Sequence, residues 1–130
     1  MTALAVDASV LHFGAAPLCI EDVVALARGH RTGVICKDVA FRARISAGAE
    51  FLDRLLAEDG VVYGVTTGYG DSCTVVIPSA LLHELPHHLY TYHGCGLGRF
   101  LDAQETRAVL AARLASLCVG MSGVSLPLLE

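Results

Sequence analysis

The chain has 130 residues, enough for one domain of ordinary size; 54% of them are hydrophobic and only 17% are charged. This composition excludes a disordered chain, and a net charge of −4 without a basic stripe argues against nucleic acid as a partner. The apolar runs are too short for a membrane span, and the N-terminus lacks the basic region of a secretory signal. The five cysteines contain no Cys-x-x-Cys pair, which predicts reduced, buried thiols and a cytoplasmic location.

The first half of the chain predicts two helices after an extended lead-in. Residues 1–17 are mixed in composition and favour an extended segment or a small strand. A short helix is predicted over Ile20–Arg28, with Gly29 as its stop. The first long helix is predicted over Lys37–Glu58, with Asp38 as its cap. Its apolar face has helical spacing and consists of Phe41, Ile45, Leu52 and Leu56.

A glycine-containing loop over residues 61–74 separates these helices from the next one. Ser79 is a natural N-cap for a helix that extends to His93. Pro86 lies inside that helix, so it either kinks the helix or moves its start later.

Another helix is predicted to begin at Asp102, because Asp102 and Glu105 have the spacing of a capping box. Glycines at 120 and 123 end it, and residues 124–130 resemble the opening of a further element. The total is three or four helices. The apolar side of the helix after Asp102 is predicted to contain Val109, Leu110, Leu114 and Leu117.

The loop around Tyr63 is the strongest candidate for chemistry. Three glycines (Gly64, Gly68 and Gly70) lie within seven residues, which indicates tight turns or close backbone approach. The loop lacks the Gly-Lys-Ser/Thr ending of a phosphate-binding loop. It therefore presents tyrosine hydroxyls, above all that of Tyr63, as a general acid or base. A phenol is a poor base at neutral pH unless its anion is stabilised, and the alternative is an aromatic anchor that packs a turn.

The histidines form a second group of candidates. His83 and His87 are four residues apart and could bind zinc, but no carboxylate completes a ligand set, so no metal is expected. His93 ends a predicted helix directly before a glycine run, where its imidazole and the neighbouring Tyr92 could face a cleft. The alternative for His93 is a C-terminal histidine that interacts with the helix dipole.

Four segments in this order resemble the aromatic amino acid lyases, the family of histidine, phenylalanine and tyrosine ammonia-lyases and related aminomutases. Residues 63–70 look like Tyr-Gly-x-x-Thr-Gly-Phe/Tyr-Gly, and Leu85–Leu89 is similar to Leu-Gln-x-x-Leu. His93–Gly96 is similar to the end of Ser-His-x-x-Gly, and Arg113–Gly123 looks like Arg-x-Asn-x-Leu-x-x-Gly-x-Ser-Gly. The resemblance covers roughly residues 18–130, and the tyrosine loop is its most specific part.

The resemblance implies a fold and a reaction. The fold is mainly α, the N-terminal part of the all-helical lyase fold with a Tyr/Gly-rich active-site loop. The reaction removes ammonia from an aromatic L-amino acid to give an α,β-unsaturated acid, with a methylidene-imidazolone electrophile. By this resemblance Tyr63 is the catalytic base, His93 and Tyr92 contact the substrate side chain, and Gly70 lies near the substrate. It also implies a homo-oligomer, a tetramer in the family, and no metal.

The departures from the family pattern leave alternatives open. The electrophile is made from Ala-Ser-Gly, which this chain does not contain, so we expect an N-terminal segment (1–130) completed by downstream residues or a partner chain. Ala115 replaces the family's asparagine, and Pro86 replaces its glutamine. Histidine and tyrosine both remain candidate substrates, because a polar His93 favours a ring with a hydrogen-bonding group. A tyrosine aminomutase and a non-catalytic binding or assembly module also remain open.

Overall fold

The computed structural model describes residues 8–58 and 60–130, so predictions for residues 1–7 and Asp59 lie outside the described residues. The chain divides into two compact units, of which unit 1 comprises residues 1–50 and 100–130 and unit 2 comprises residues 51–99. The described elements in chain order are β1 (Val10–Phe13), α1 (Ile20–Ala27), β2 (Thr32–Ile35), α2 (Val39–Ala57), α3 (Leu85–His93), α4 (Ala103–Leu117) and α5 (Leu126–Leu129).

Unit 1 contains a two-stranded parallel sheet, in which Val10 lies opposite Thr32 and Phe13 opposite Ile35. Strand β1 falls within the predicted extended lead-in, whereas β2 was not predicted. The ring of Phe13 covers Gly33 so closely that an added Cβ would lie 2.5 Å from the ring. The second strand therefore depends on a contact between residues twenty positions apart, which local sequence patterns do not reveal.

Helices α1 and α2 confirm the predictions for this half of the chain to within one or two residues. Gly29 follows α1 with φ +73°, the left-handed conformation that favours glycine at a helix end. The Asp38 carboxylate accepts the Phe41 N–H at 2.8 Å, as expected of a cap. The apolar residues at the start of α2, Phe41 and Ile45, are buried in the core of unit 1.

Helix α4 has the predicted capping box. Asp102 Oδ1 accepts the N–H groups of Gln104 at 2.8 Å and Glu105 at 2.9 Å, and Glu105 Oε2 accepts the Asp102 N–H at 2.9 Å. The predicted apolar face is wrong in part, because Val109 and Leu110 are 55% and 61% exposed.

The face of α4 that packs on the core consists of small residues as well as leucine. Ala111 and Cys118 are buried, and Leu114 packs against them. This face has the i, i+3, i+7 spacing of one helix side; Leu110, four residues before Leu114, lies at its edge, and Val109 lies farther round the helix. Helix α4 packs against α1, and Arg107 Nε donates to the Ala27 carbonyl at 2.9 Å.

Unit 2 consists of the end of α2, the tyrosine loop and α3. A 3₁₀ turn at Gly70–Thr74 lies in the loop, and another at Ser79–Leu81 precedes α3. Pro86 occupies the first turn of α3, so the proline moves the helix start to Leu85. Ser79 begins the separate 3₁₀ turn and Glu84 precedes α3, so the prediction of Ser79 as the N-cap of this helix is wrong.

The structure corrects two further predictions. Five α-helices are described, more than the three or four predicted, because α5 forms a short helix with Pro127 in its first turn. All five cysteines are free thiols, but Cys118 alone is buried, Cys36 is half-buried, and the other three are exposed. Among the described residues, no helix is both long enough and apolar enough to span a membrane.

Candidate active site

Two backbone contacts hold the base of the tyrosine loop in unit 2. Gly68 N–H donates to the Val75 carbonyl at 3.0 Å, and Ile77 N–H donates to the Thr66 carbonyl at 2.8 Å. Between them, Thr67 and Val76 form an antiparallel bridge. The segment after the loop thus returns along Thr66–Gly68 and gives the loop a fixed base.

The hydroxyls of two adjacent threonines hold the start of the loop. Thr66 Oγ1 accepts the Val62 N–H at 2.8 Å and donates to the Gly60 carbonyl at 3.3 Å. Thr67 Oγ1 accepts the Gly64 N–H at 3.1 Å and donates to the Gly68 carbonyl at 3.0 Å. The amides of the residues before and after Tyr63 are therefore both bound to threonine hydroxyls. This use of the hydroxyls is common where the backbone turns.

The Tyr63 side chain extends from this held backbone and is 64% exposed. The Gly70 N–H donates to its hydroxyl oxygen at 3.1 Å. The ring of Tyr69 packs edge-on against the Tyr63 ring, with centroids 6.4 Å apart and an interplanar angle of 83°. In this arrangement the phenolic oxygen accepts a hydrogen bond from the Gly70 N–H. The hydroxyl hydrogen of Tyr63 is not used in that bond and can be donated to another group.

Glycines make this geometry possible. Gly64 has φ +71° and Gly70 has φ +57°, a region that other residues seldom adopt. An added Cβ at Gly64 would lie 2.9 Å from the Tyr69 ring, whereas one at Gly70 would meet nothing within 4 Å. Gly64 is thus required by the packing of the two tyrosine rings as well as by backbone conformation.

Tyr92 and His93 lie together at the C-terminal end of α3, and both are exposed. Their rings are tilted by 47° with centroids 4.6 Å apart. The helix ends here because Gly94 follows, with its N–H bound to the Tyr90 carbonyl at 2.9 Å. The side chains are therefore presented at a helix end, as the sequence predicts for His93.

The described contacts form two separate groups of predicted site residues. Tyr63 and Gly70 belong to one group, and Tyr92 and His93 belong to the other. Within the described part of unit 2, no hydrogen bond or ring contact joins Tyr63 to His93. The roles of all four residues stay predictions. Thr66, Thr67 and Tyr69 had no predicted role of their own; two adjacent threonines in a glycine-rich turn were the sequence signal for the supporting hydroxyls.

The other histidines of α3 make local contacts. His88 Nε2 is 3.6 Å from Glu84 Oε2, and His87 packs edge-on to Tyr90 with centroids 5.1 Å apart. Within residues 8–58 and 60–130, no three His, Cys, Asp or Glu side chains come together in a way that could hold a metal ion.

The residues present do not fit the electrophile that the resemblance implies. None of the 130 residues belongs to an Ala-Ser-Gly tripeptide. The most similar segment, Met121–Gly123, follows α4, and its glycine has φ +61°. Ala115 packs half-buried against the core of unit 1, and Pro86 lies in the first turn of α3.

Comparisons with known proteins agree on the relationship of this chain. A profile of the family described as "Aromatic amino acid lyase" matches residues 18–130. The histidine ammonia-lyase of Bos taurus is 38% identical over 113 residues, which cover 87% of this chain and 17% of the relative. The histidine ammonia-lyase of Streptococcus pyogenes is 37% identical over 123 residues, covering 93% of this chain and 23% of the relative.

A solved structure has the same fold as this segment. The tyrosine aminomutase from Streptomyces globisporus superimposes with a TM-score of 0.83 at 28% identity, covering 92% of this chain and 22% of that one. This chain therefore spans about a fifth of the length of the proteins that it matches.

Proposed function

Because the chain belongs to the aromatic amino acid lyase family, we propose that it is the N-terminal part of an ammonia-lyase. The reaction eliminates ammonia from an aromatic L-amino acid, histidine or tyrosine, to give an α,β-unsaturated acid. The observation that carries this proposal is the exposed Tyr63 phenol, held by the threonine contacts and by the Gly70 N–H at 3.1 Å. Since the chain spans about a fifth of its relatives, the activity is that of a longer protein or an assembly.

In the proposed step the Tyr63 oxygen, as the phenolate, takes a proton from the β-carbon of the substrate and becomes the phenol. The electrons of that C–H bond form the carbon–carbon double bond, and the C–N electron pair leaves with the nitrogen of the substrate ammonium group, which departs as ammonia. The base must meet a weakly acidic hydrogen at a defined distance, so the positioning of Tyr63 matters as much as its chemistry. The Gly70 N–H can remain hydrogen-bonded to the oxygen whether that oxygen is protonated or anionic, because it acts as a donor.

The electrophile that the family uses must come from residues outside positions 1–130. Methylidene-imidazolone improves the departure of the amine, and the Ala-Ser-Gly from which it forms is missing here. The isolated 130-residue chain is therefore expected to be inactive. The same observation favours a second candidate function, a lyase-like binding or assembly module without turnover.

His93, Tyr92 and Gly70 are proposed to form the contacts with the substrate. The His93 ring, packed beside Tyr92, offers an imidazole to a substrate ring that has its own hydrogen-bonding group. Histidine and tyrosine meet that requirement and phenylalanine does not. Replacing His93 with phenylalanine should therefore lower kcat/KM for histidine or tyrosine relative to phenylalanine, measured with all three amino acids.

The structural similarity to a tyrosine aminomutase at a TM-score of 0.83 favours a third outcome, migration of the amino group. An aminomutase begins with the same removal of a β-proton, so the proposed role of Tyr63 does not depend on this choice. Chromatography of the products separates the two reactions, since a lyase releases the unsaturated acid and an aminomutase releases a β-amino acid.

Assembly into a homo-oligomer, a tetramer in the family, is supported by exposed apolar side chains. Phe100 and Met121 in unit 1 are 97% and 85% exposed, and α3 contains no buried residue. Apolar surface of this kind is usually covered by further protein. Light scattering of the full-length protein tests this, and a monomer would contradict it.

The direct test of the proposed function is Tyr63→Phe in the full-length protein. This change keeps the ring that packs against Tyr69 and removes the oxygen bound by Gly70. Production of unsaturated acid, followed by its ultraviolet absorbance, should fall by about 10²-fold or more, the usual contribution of a positioned base. Tyr90→Phe on α3 is the matched control and should retain activity. Undiminished turnover by Tyr63→Phe would overturn the proposal.

A further inference from the structure

We infer that Thr67 is the positioning residue that holds Tyr63 for proton abstraction, an inference that rests on the proposed function. Thr67 is 3% exposed, whereas Tyr63, four residues earlier, is 64% exposed. A buried hydroxyl needs hydrogen-bond partners, and this one finds both of them inside the tyrosine loop. The buried threonine is thus directed toward the backbone that supports the exposed tyrosine.

The Thr67 hydroxyl acts on the peptide bond that links Tyr63 to Gly64. The N–H of that peptide donates to Thr67 Oγ1 at 3.1 Å, and the hydroxyl donates in turn to the Gly68 carbonyl at 3.0 Å. The described residues contain no other acceptor for the Gly64 N–H. The orientation of this peptide determines the direction in which the Tyr63 side chain leaves the backbone.

Thr67 can hold the peptide after Tyr63 in position because the backbone of Thr67 is held by the segment that returns after the loop. Its backbone forms the bridge with Val76, and the next residue donates its N–H to the Val75 carbonyl at 3.0 Å. A continuous path of contacts therefore runs from the returning segment, through Thr67, to the peptide after Tyr63. Such support from a second layer of residues keeps a reactive group in its productive geometry.

The Gly70 N–H and the Thr66 hydroxyl also make hydrogen bonds at or beside Tyr63, but their roles differ from that of the Thr67 hydroxyl. The Gly70 N–H contacts the phenolic oxygen, the atom that exchanges a proton during the reaction. Thr66 contacts Val62, but its own N–H also donates to the Val62 carbonyl at 2.9 Å, so a backbone bond holds that residue without the hydroxyl. The Thr67 hydroxyl alone supports the Gly64 N–H within the described loop.

The test compares Thr67→Val with Thr67→Ser in the full-length protein. Valine has nearly the shape of threonine without its hydroxyl, and serine keeps the hydroxyl. Thr106→Val, the same substitution at an exposed position of α4 in unit 1, is the matched control. Kinetics are measured with histidine and tyrosine, each with hydrogen or deuterium at the β-carbon, and circular dichroism gives the folded fraction.

Thr67→Val should lower kcat by about 10- to 100-fold with little change in KM, because misplacement of the base affects the chemical step. The β-deuterium isotope effect on kcat should rise, since C–H cleavage becomes slower than the other steps. Thr67→Ser and Thr106→Val should stay close to the unsubstituted protein. If valine prevents folding, Thr67→Ala tests the same prediction, because it also lacks the hydroxyl and is smaller than threonine.

The outcomes separate this inference from the proposed function. If Tyr63→Phe is inactive and Thr67→Val turns over normally, the inference is wrong and the proposed function stands. The inference is also overturned if kcat of Thr67→Val falls only in proportion to its folded fraction and the isotope effect is unchanged. That result would show that Thr67 acts in folding alone. If Tyr63→Phe remains active, the proposed function fails and the inference falls with it.

Discussion

Replacing Gly64 with alanine should impair catalysis more than it impairs folding. The substitution has two effects that the structure separates. The first is backbone strain, because Gly64 has φ +71°, and an L-residue in this region costs roughly 1–2 kcal/mol. The second is a collision, because the new Cβ would lie 2.9 Å from Cε1 of Tyr69. The Tyr69 ring packs against Tyr63, so its displacement reaches the proposed base.

Gly29 provides a matched control for the strain. Its φ is +73°, nearly that of Gly64, and a Cβ there would meet nothing within 4 Å. Gly29→Ala should therefore lose roughly 1–2 kcal/mol of stability from backbone strain, the same strain that Gly64→Ala has in addition to its collision. The comparison isolates the effect of the collision with Tyr69.

The size of the catalytic effect follows from the contact distance. Ordinary contacts begin at 3.4 Å, so the Tyr69 ring must retreat by roughly half an ångström. Since a misplacement of about 1 Å can cost about 10²-fold, kcat of Gly64→Ala should fall by about tenfold with a nearly unchanged KM. The assay is release of unsaturated acid by the full-length variants, with thermal unfolding in parallel. Equal kcat values for the two variants would refute the reasoning.

Two further predictions concern local contacts in unit 1. Asp102→Ala should lower the free energy of unfolding, measured in urea titrations, by about 1 kcal/mol, because the N-cap of α4 is lost. Asp102→Asn should retain most of the stability that the cap provides, because asparagine is also a good N-cap. Equal losses in the two variants would contradict the role of Asp102 as a cap. The Cys19 N–H, together with the Arg31 guanidinium 2.5 Å away, lowers the pKa of Asp22 below its ordinary value. The lowered pKa makes Asp22 stabilising above about pH 4, and this contribution is lost as pH falls through the folded-state pKa. Urea unfolding between pH 6 and pH 2 should therefore show a smaller acid-induced loss in Asp22→Asn, and parallel curves would contradict the assignment.

Features that depend on a few neighbouring residues could be predicted from the sequence. The capping box at Asp102, the cap at Asp38 and the stop at Gly29 all have the predicted geometry. Each involves contacts within three or four residues, so the local sequence contains all the information. Ser79 is the exception, because Pro86 moves the helix start to Leu85 and leaves no helix for it to cap.

The tyrosine loop could be chosen as the candidate site from the sequence, but the contacts that support the loop could not. The glycines around Tyr63 pointed to this tyrosine and the family resemblance to Gly70; the structure describes a hydrogen bond between them, and their roles stay predictions. The buried position of Thr67 could not be predicted, because it depends on the return of the chain at Val76. Whether Tyr63 and His93 meet one substrate stays a proposal.

By itself, the sequence determined the family, the helix ends of unit 1 and the loop that presents Tyr63, because motifs, caps and glycines act over short stretches of chain. Tertiary structure alone decided that β2 pairs with β1, that Ala111 and Cys118 rather than Val109 and Leu110 are buried in the core, and that Thr67 is buried where the chain returns at Val76. Those features join residues that are distant in the chain or choose one side of a helix over another. The choice is made by the surface that each element meets, which no local pattern specifies.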